Sequence, residues 1–154
     1  MTISKIRRAT VSDRDALANL RMALWPESSA EEHSRELEAL LSTGMCGILP
    51  LAIFALCEES GKLIGFVEVG LRSHADGCDA SRPVGYIEGW FVAAGWRQQG
   101  IGGELVRAAE EWSRAQGCRE MASDALVDNT VSQNAHEKLG YIALDRCVHF
   151  RKPL

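Results

Sequence analysis

The seven residues Arg97-Gln98-Gln99-Gly100-Ile101-Gly102-Gly103 carry the most specific chemical signal in the chain. Glycines let a main chain come close to a ligand, and the first N–H groups of a helix have no internal partners, so they donate to an anion at the positive end of the helix dipole. A phosphate group is the ligand that suits such a turn. The GxGxxG fingerprint of dinucleotide-binding folds is absent, and no Lys followed by Ser or Thr comes after the glycines, as a P-loop requires. The alternative is a tight turn and helix cap that binds nothing.

A second chemical resource is the carboxylate of Glu88, in the run Tyr86-Ile87-Glu88-Gly89-Trp90. Strand alternation puts it on one face with Tyr86, Trp90 and Val92, a carboxyl group among aromatic rings. The alternative is a glutamate facing solvent from the sheet. His136 lies beside the apolar stripe Val131, Ala135 and Leu139 of a helix, where it is either a reactive imidazole or an ordinary exposed residue.

The elements that must hold these groups follow from periodicity and punctuation. A short strand is expected over Ile3–Arg8. Ser12 or Asp13 then caps a helix with Leu17, Leu20 and Leu24 at helical spacing, stopped by Pro26. Ser28 and Ser29, with Glu31 and Glu32 three residues on, offer capping boxes for a second helix through Leu37, Leu40 and Leu41 to Gly44. Leu49–Glu58 and Lys62–Arg72 read as a hairpin joined at Glu59-Ser60-Gly61. After a polar loop from Ser73 to Pro83, Val84–Val92 reads as a strand, Ile101–Gly117 as an amphipathic helix and Cys118–Ala125 as a strand. Strand, helix and strand in succession imply a right-handed crossover between parallel neighbours. A helix over Thr130–Leu139 and a final strand over Tyr141–Arg151 complete an α+β fold with a mixed sheet.

Arg97, Gly100 and Gly102 match the Arg/Gln-x-x-Gly-x-Gly/Ala motif of the GNAT superfamily of N-acetyltransferases, in the position after the fourth strand where that family carries it. The segment Asn129 to Tyr141 also resembles the family's run from an Asn to a KxGF-like helix end. The resemblance covers nearly the whole chain in element order. It implies a GNAT fold, with a twisted mixed antiparallel and parallel sheet splayed between the fourth and fifth strands and flanked by helices. It also implies acetyl-CoA as cosubstrate, with its pyrophosphate on Arg97, Gln98, Gln99, Gly100, Ile101, Gly102 and Gly103. The pantetheine arm would lie along the backbone of Trp90, Phe91 and Val92, with Asn129 contacting it from the other side. Seven residues after that Asn the family commonly has a Tyr that protonates the departing thiolate; His136 stands there instead.

At a finer level, Leu24-Trp25-Pro26, Asp76-Gly77-Cys78-Asp79, Glu88 to Val92, Gly117 to Asp124 and Asn129 to Gln133 are similar to segments of aminoglycoside 6'-N-acetyltransferases, enzymes of antibiotic resistance. Acetylating an amine requires that an ammonium lose a proton and that a thiolate gain one. Glu88, reached through water, is the candidate base and His136 the candidate acid. The resemblance implies that Glu88, Asp124 and Asp145 bind the antibiotic's ammonium groups and that Trp25 walls a sugar ring. For Asp124 the alternative is a cap on the following turn, and for Trp25 a core position. Similar enzymes form dimers in which the loop holding His74 and Asp76 reaches a neighbour, so a homodimer is expected. His33 and His149 belong to no motif and are assigned structural or exposed roles. A GNAT acting on another polyamine or a protein amine, or a coenzyme A-binding regulator without turnover, are the other readings.

Composition sets outer limits. The 154 residues suit one domain, taken as 1–154, and 46% hydrophobic with 25% charged residues is ordinary for a globular chain. A formal net charge of −4 is opposite to that of a nucleic-acid binder and favours cationic ligands. The five cysteines lack CxxC spacing, which argues against a disulfide framework or a metal site and for a reducing cytoplasm. Neither a secretory signal nor a membrane span is expected.

Overall fold

The computed structural model describes residues 3–154, grouped into two compact units, one ending at Ser123 and the other spanning 124–154. The first unit holds strands β1 (Ile3–Arg8), β2 (Met45–Cys46), β3 (Leu49–Glu58), β4 (Leu63–Arg72), β5 (Val84–Val92) and β6 (Met121–Ser123), with helices α1 (Arg14–Leu24), α2 (Ala30–Thr43) and α3 (Ile101–Ala115). The second holds α4 (Thr130–Lys138). The sheet order is β1-β3-β4-β5-β6, with β2 pairing β3 to one side. Every neighbouring pair is antiparallel except β5 with β6, the parallel pair that the β5-α3-β6 crossover demands.

The helix boundaries follow local chemistry. Ser29 and Glu32 form the reciprocal cap expected of α2: the Glu32 N–H donates to Ser29 Oγ at 3.2 Å and the Ser29 N–H to Glu32 Oε2 at 2.7 Å. The helix ends at Gly44 with φ of 67°. α1 stops because a residue before proline is pushed out of the helical region, and Trp25 duly turns to φ −127° and ψ 77°. Leu17 and Leu37 are fully buried and join Leu51, Ile53, Ala55 and Phe66 in one apolar cluster. Each such side chain contributes about 1.5–3 kcal/mol by leaving water. α3 packs on β3, β4 and β5 through Leu105, Val106 and Ala109.

Three expectations need correction. The strand expected over Cys118–Ala125 shrinks to Met121–Ser123, because the Cys118 N–H is used by the Ser113 carbonyl to close the end of α3. No strand forms over Tyr141–Arg151, so Asp145 lies in irregular chain; Ile142 is 82% and Phe150 93% exposed. Alternating hydrophobicity expresses fitness for a pleated, half-buried surface, and this segment has no ladder partner among the described residues. The third correction concerns β5 and shapes the site.

Candidate active site

Pairing between β4 and β5 joins Glu68 to Gly89 and then Val69 to Ile87, leaving Glu88 as an extra residue, a β-bulge. Strict alternation would keep Glu88, Trp90 and Val92 on one face. The inserted residue breaks that phase. Trp90 lies on the α3 side, where a Cβ on Gly102 would meet its indole at 3.0 Å. Glu88 stays with Tyr86 on the side of α1 and α2, where it enters a cleft of about 700 Å³.

The cleft is lined by four carboxylates, Glu27, Glu36, Glu68 and Glu88, with Arg21, Arg72, Trp25 and His33 between them. Trp25 reaches it because Gly89 has no side chain: a Cβ there would stand 2.5 Å from Trp25 Cη2. Placement of the indole is reinforced from α1 by the Arg21 guanidinium, 5.0 Å from the ring centre, and from α2 by His33, whose Nε2 lies 3.1 Å from the Trp25 carbonyl oxygen. His33 is thus a buried structural residue, and its Nδ1 has no hydrogen-bond partner.

Two arginine–glutamate pairs cross the cleft, and they differ in kind. On the floor, Arg21 donates to Glu68 through Nη2 at 2.9 Å and Nε at 3.2 Å, with side chains only 6% and 5% exposed. Arg21 also reaches Glu36 at 3.1 Å. Burial pushes the Glu68 carboxyl above the ordinary range, against the pull of Arg21, with Glu88 and Glu36 adding repulsion. Near the mouth, Arg72 donates to Glu88 through Nε at 2.9 Å and Nη2 at 2.8 Å, and its guanidinium stacks 3.4 Å from the Tyr86 ring centre. This pair is much more open, at 44% and 30%.

β5 also leads to the glycine turn Arg97–Gly103. β6 pairs with β5 only at Gly85, Tyr86 and Ile87, so the strand from Glu88 to Val92 runs on past the last parallel pair. Beyond it a single 3-10 turn, Ala94–Trp96, delivers the chain to Arg97–Gly100. Gln98 and Gly100 adopt positive φ, 63° and 78°, and α3 starts at Ile101. Positive φ at Gly100 aligns the exposed turn with the N–H groups that open α3. Arg97 folds back on the strand, its Nε donating to the Val92 carbonyl at 2.7 Å and its guanidinium 5.5 Å from the Phe91 ring centre. Trp90, Phe91, Val92 and the turn residues Gln99, Ile101, Gly102 and Gly103 therefore form one continuous stretch.

The remaining candidates belong to the second unit. Asp124 and Asp145 are exposed. Asn129 caps α4, its side-chain oxygen accepting from the Ser132 N–H at 3.1 Å. His136 Nδ1 lies 2.7 Å from the Ser132 carbonyl oxygen, and its ring meets Tyr141 edge-on at 5.5 Å. Sequence reasoning missed Arg21, Glu27, Glu36, Glu68 and Arg72. Two of them left a trace: Glu68 interrupts the apolar run Leu63–Leu71, and Arg21 falls on the stripe of Leu17 and Leu24.

Among the described residues no group of His, Cys, Asp and Glu could hold a metal ion, and no helix is long and apolar enough to cross a membrane. The sheet thus carries its parallel pair on either side of α3, a glycine turn at the start of that helix and an acidic cleft on the face of α1 and α2. The acetyltransferase (GNAT) family model matches residues 14–141, and the chain belongs to that family. It is 39% identical over 150 residues to an aminoglycoside N(6')-acetyltransferase type 1 of Stenotrophomonas maltophilia, covering 97% of this chain and 93% of the relative. A protein of the same name from Klebsiella aerogenes is 35% identical, with 97% and 96% covered. Among solved structures, AAC(6')-Iy in complex with the bisubstrate analogue CoA-S-monomethyl-acetylneamine superposes with a TM-score of 0.87 at 34% identity, covering 97% of this chain and 98% of that one. AAC(6')-Ih from Acinetobacter baumannii gives 0.85 at 29%, again with 97% and 98% covered.

Proposed function

We propose that this chain transfers acetyl from acetyl-CoA to the 6'-amino group of aminoglycoside antibiotics, by direct attack in a ternary complex, and so confers resistance to them. The observation that carries this reading is the cleft of four carboxylates beside the strand that leads to the anion-binding turn. An aminoglycoside is a polycation at neutral pH, and a cleft whose four carboxylates outnumber its two arginines attracts it. Relatives over nearly the full length bear the same activity in their names, and one similar structure holds a coenzyme A bisubstrate analogue.

In this reading Glu88 binds the acceptor ammonium and takes its proton through water. The freed amine attacks the thioester carbonyl, a C–N bond forms, the C–S bond breaks and the thiolate receives a proton from His136. Arg97 to Gly103 hold the pyrophosphate, the Trp90, Phe91 and Val92 backbone holds the pantetheine arm, and Asn129 contacts the cosubstrate. Trp25 walls a sugar ring, with Asp124 and Asp145 as further acidic contacts. The turnover needs no metal, works on a cytoplasmic antibiotic, and is carried out by a homodimer of single acetyltransferase domains; the family match running through both compact units supports one domain.

Purified protein with acetyl-CoA and kanamycin is expected to release free thiol, and Glu88→Gln to lose about 100-fold or more in kcat, as removal of a general base does. Thiol release with spermidine or peptides but with no 6'-amino aminoglycoside would replace the antibiotic reading by a different acceptor. Acetyl-CoA binding without acetylation of any amine would favour a regulator.

A further inference from the structure

The two arginines of the cleft hold their glutamates differently, and we infer that Arg72 is an intramolecular occupant of the acceptor ammonium site, which sets the enzyme's preference for highly charged acceptors. This inference rests on the reading of Glu88 as an acceptor-binding carboxylate.

The Arg72 fork covers both Glu88 oxygens, at 2.9 and 2.8 Å. A bidentate guanidinium makes the charge-assisted contacts that an incoming ammonium needs from the same carboxylate. Arg21 makes a similar fork on Glu68, but with both side chains almost wholly buried, so no solute reaches it. Arg72 and Glu88 are 44% and 30% exposed, and ion pairs in such positions contribute little net stability. Arg72 is therefore exchangeable. The Tyr86 face, 3.4 Å from the guanidinium, remains a partner for the cation when Glu88 turns to the substrate.

Exchange has a selective consequence. A monoamine brings one positive charge to replace another and gains little. A polycation also meets Glu27, and Glu36 beside Arg21, which line the same cleft, so its binding depends less on taking Glu88 from Arg72. Arg72 acts as a filter for charge number, a specificity-determining residue that touches no reacting atom.

The experiment compares wild type, Arg72→Gln and Arg72→Lys, alone and in a Glu88→Gln background. It measures Kd for kanamycin by calorimetry, and kcat and KM for kanamycin and for 6-amino-6-deoxyglucose, a singly charged sugar amine. Arg72→Gln is expected to tighten kanamycin binding about three- to fivefold. It should lower KM for the monoamine by a larger factor, with kcat nearly unchanged, while Arg72→Lys stays close to wild type. In the Glu88→Gln background the Arg72→Gln effect should vanish. A fall in kcat with unchanged KM would make Arg72 a support that orients Glu88, and overturn the inference. An equal gain in both backgrounds would reduce it to long-range charge, which also overturns it. If Glu88→Gln leaves kanamycin Kd unchanged, the underlying assignment of Glu88 fails; if it weakens Kd but Arg72→Gln brings no gain, only the exchange idea fails.

Discussion

Arg21→Met tests how the floor of the cleft is built. Arg21 and Glu68 are joined by two hydrogen bonds of 2.9 and 3.2 Å with almost no solvent contact. Removing the cation leaves a carboxylate buried without its partner, a change that costs about 3–5 kcal/mol. For a chain of this length that corresponds to a fall in Tm of about 6–20 °C. The loss must also depend on pH. Burial already raises the Glu68 carboxyl above its ordinary value, and loss of Arg21 raises it further. Above the unfolded value, near pH 4.3, the folded variant then retains a proton that the unfolded chain releases, so its stability declines as pH rises, by up to about 1.4 kcal/mol per pH unit, until the folded value is passed. Urea unfolding at about pH 5, 6, 7 and 8 should show the variant weakest at the alkaline end. The double variant Arg21→Met with Glu68→Met should recover most of the loss, since apolar replacement of a buried pair is often neutral. A single variant within about 1 kcal/mol of wild type, or a loss flat from pH 5 to 8, would refute the claim that this pair is buried and mutually dependent.

Gly89→Ala should cost about 1–3 kcal/mol by overpacking against Trp25, and raise KM for the acceptor while calorimetry finds acetyl-CoA affinity unchanged. Gly100→Ala, at φ of 78°, should act on the other substrate: about 1 kcal/mol of backbone strain weakens acetyl-CoA binding about fivefold, with acceptor affinity retained. The Asp13 carboxyl is held below its ordinary value first by the Arg7 guanidinium at 2.7 Å, and also by the Thr10 N–H. Its contribution is therefore complete above about pH 4 and is lost as pH falls through the lower folded value. Asp13→Asn should cost about 1–2 kcal/mol at pH 7, and thermal melts should show that gap closing in acid.

The helices were legible because their signals are local. Ser29 and Glu32 sit three residues apart and cap α2 as their spacing predicts, and Val84–Val92 forms the expected strand to the residue. The turn proposed to bind the anion is a local signal of the same kind, carried by seven consecutive residues. What escaped is non-local. Arg21 and Glu68 are 47 residues apart, and the lone glutamate in an apolar strand reveals a buried charge without naming its partner. The bulge at Glu88 has no local mark, since either phase of β5 puts apolar and polar residues on both faces; the pairing with β4 decides it. The run Tyr141–Arg151 has the composition of a strand, but composition cannot supply the neighbour that a strand requires.

The bulge has an evolutionary consequence. By shifting the phase of β5 between Ile87 and Gly89, it leaves Glu88 toward α1 and α2 and turns Trp90 toward α3, so that one strand presents the proposed acceptor carboxylate on one face and packs against the start of α3 on the other. Substitutions on α1, α2 or the end of β4 can then alter which antibiotics are accepted without retuning the turn proposed to hold acetyl-CoA. Resistance could broaden or narrow residue by residue while the donor chemistry stays constant.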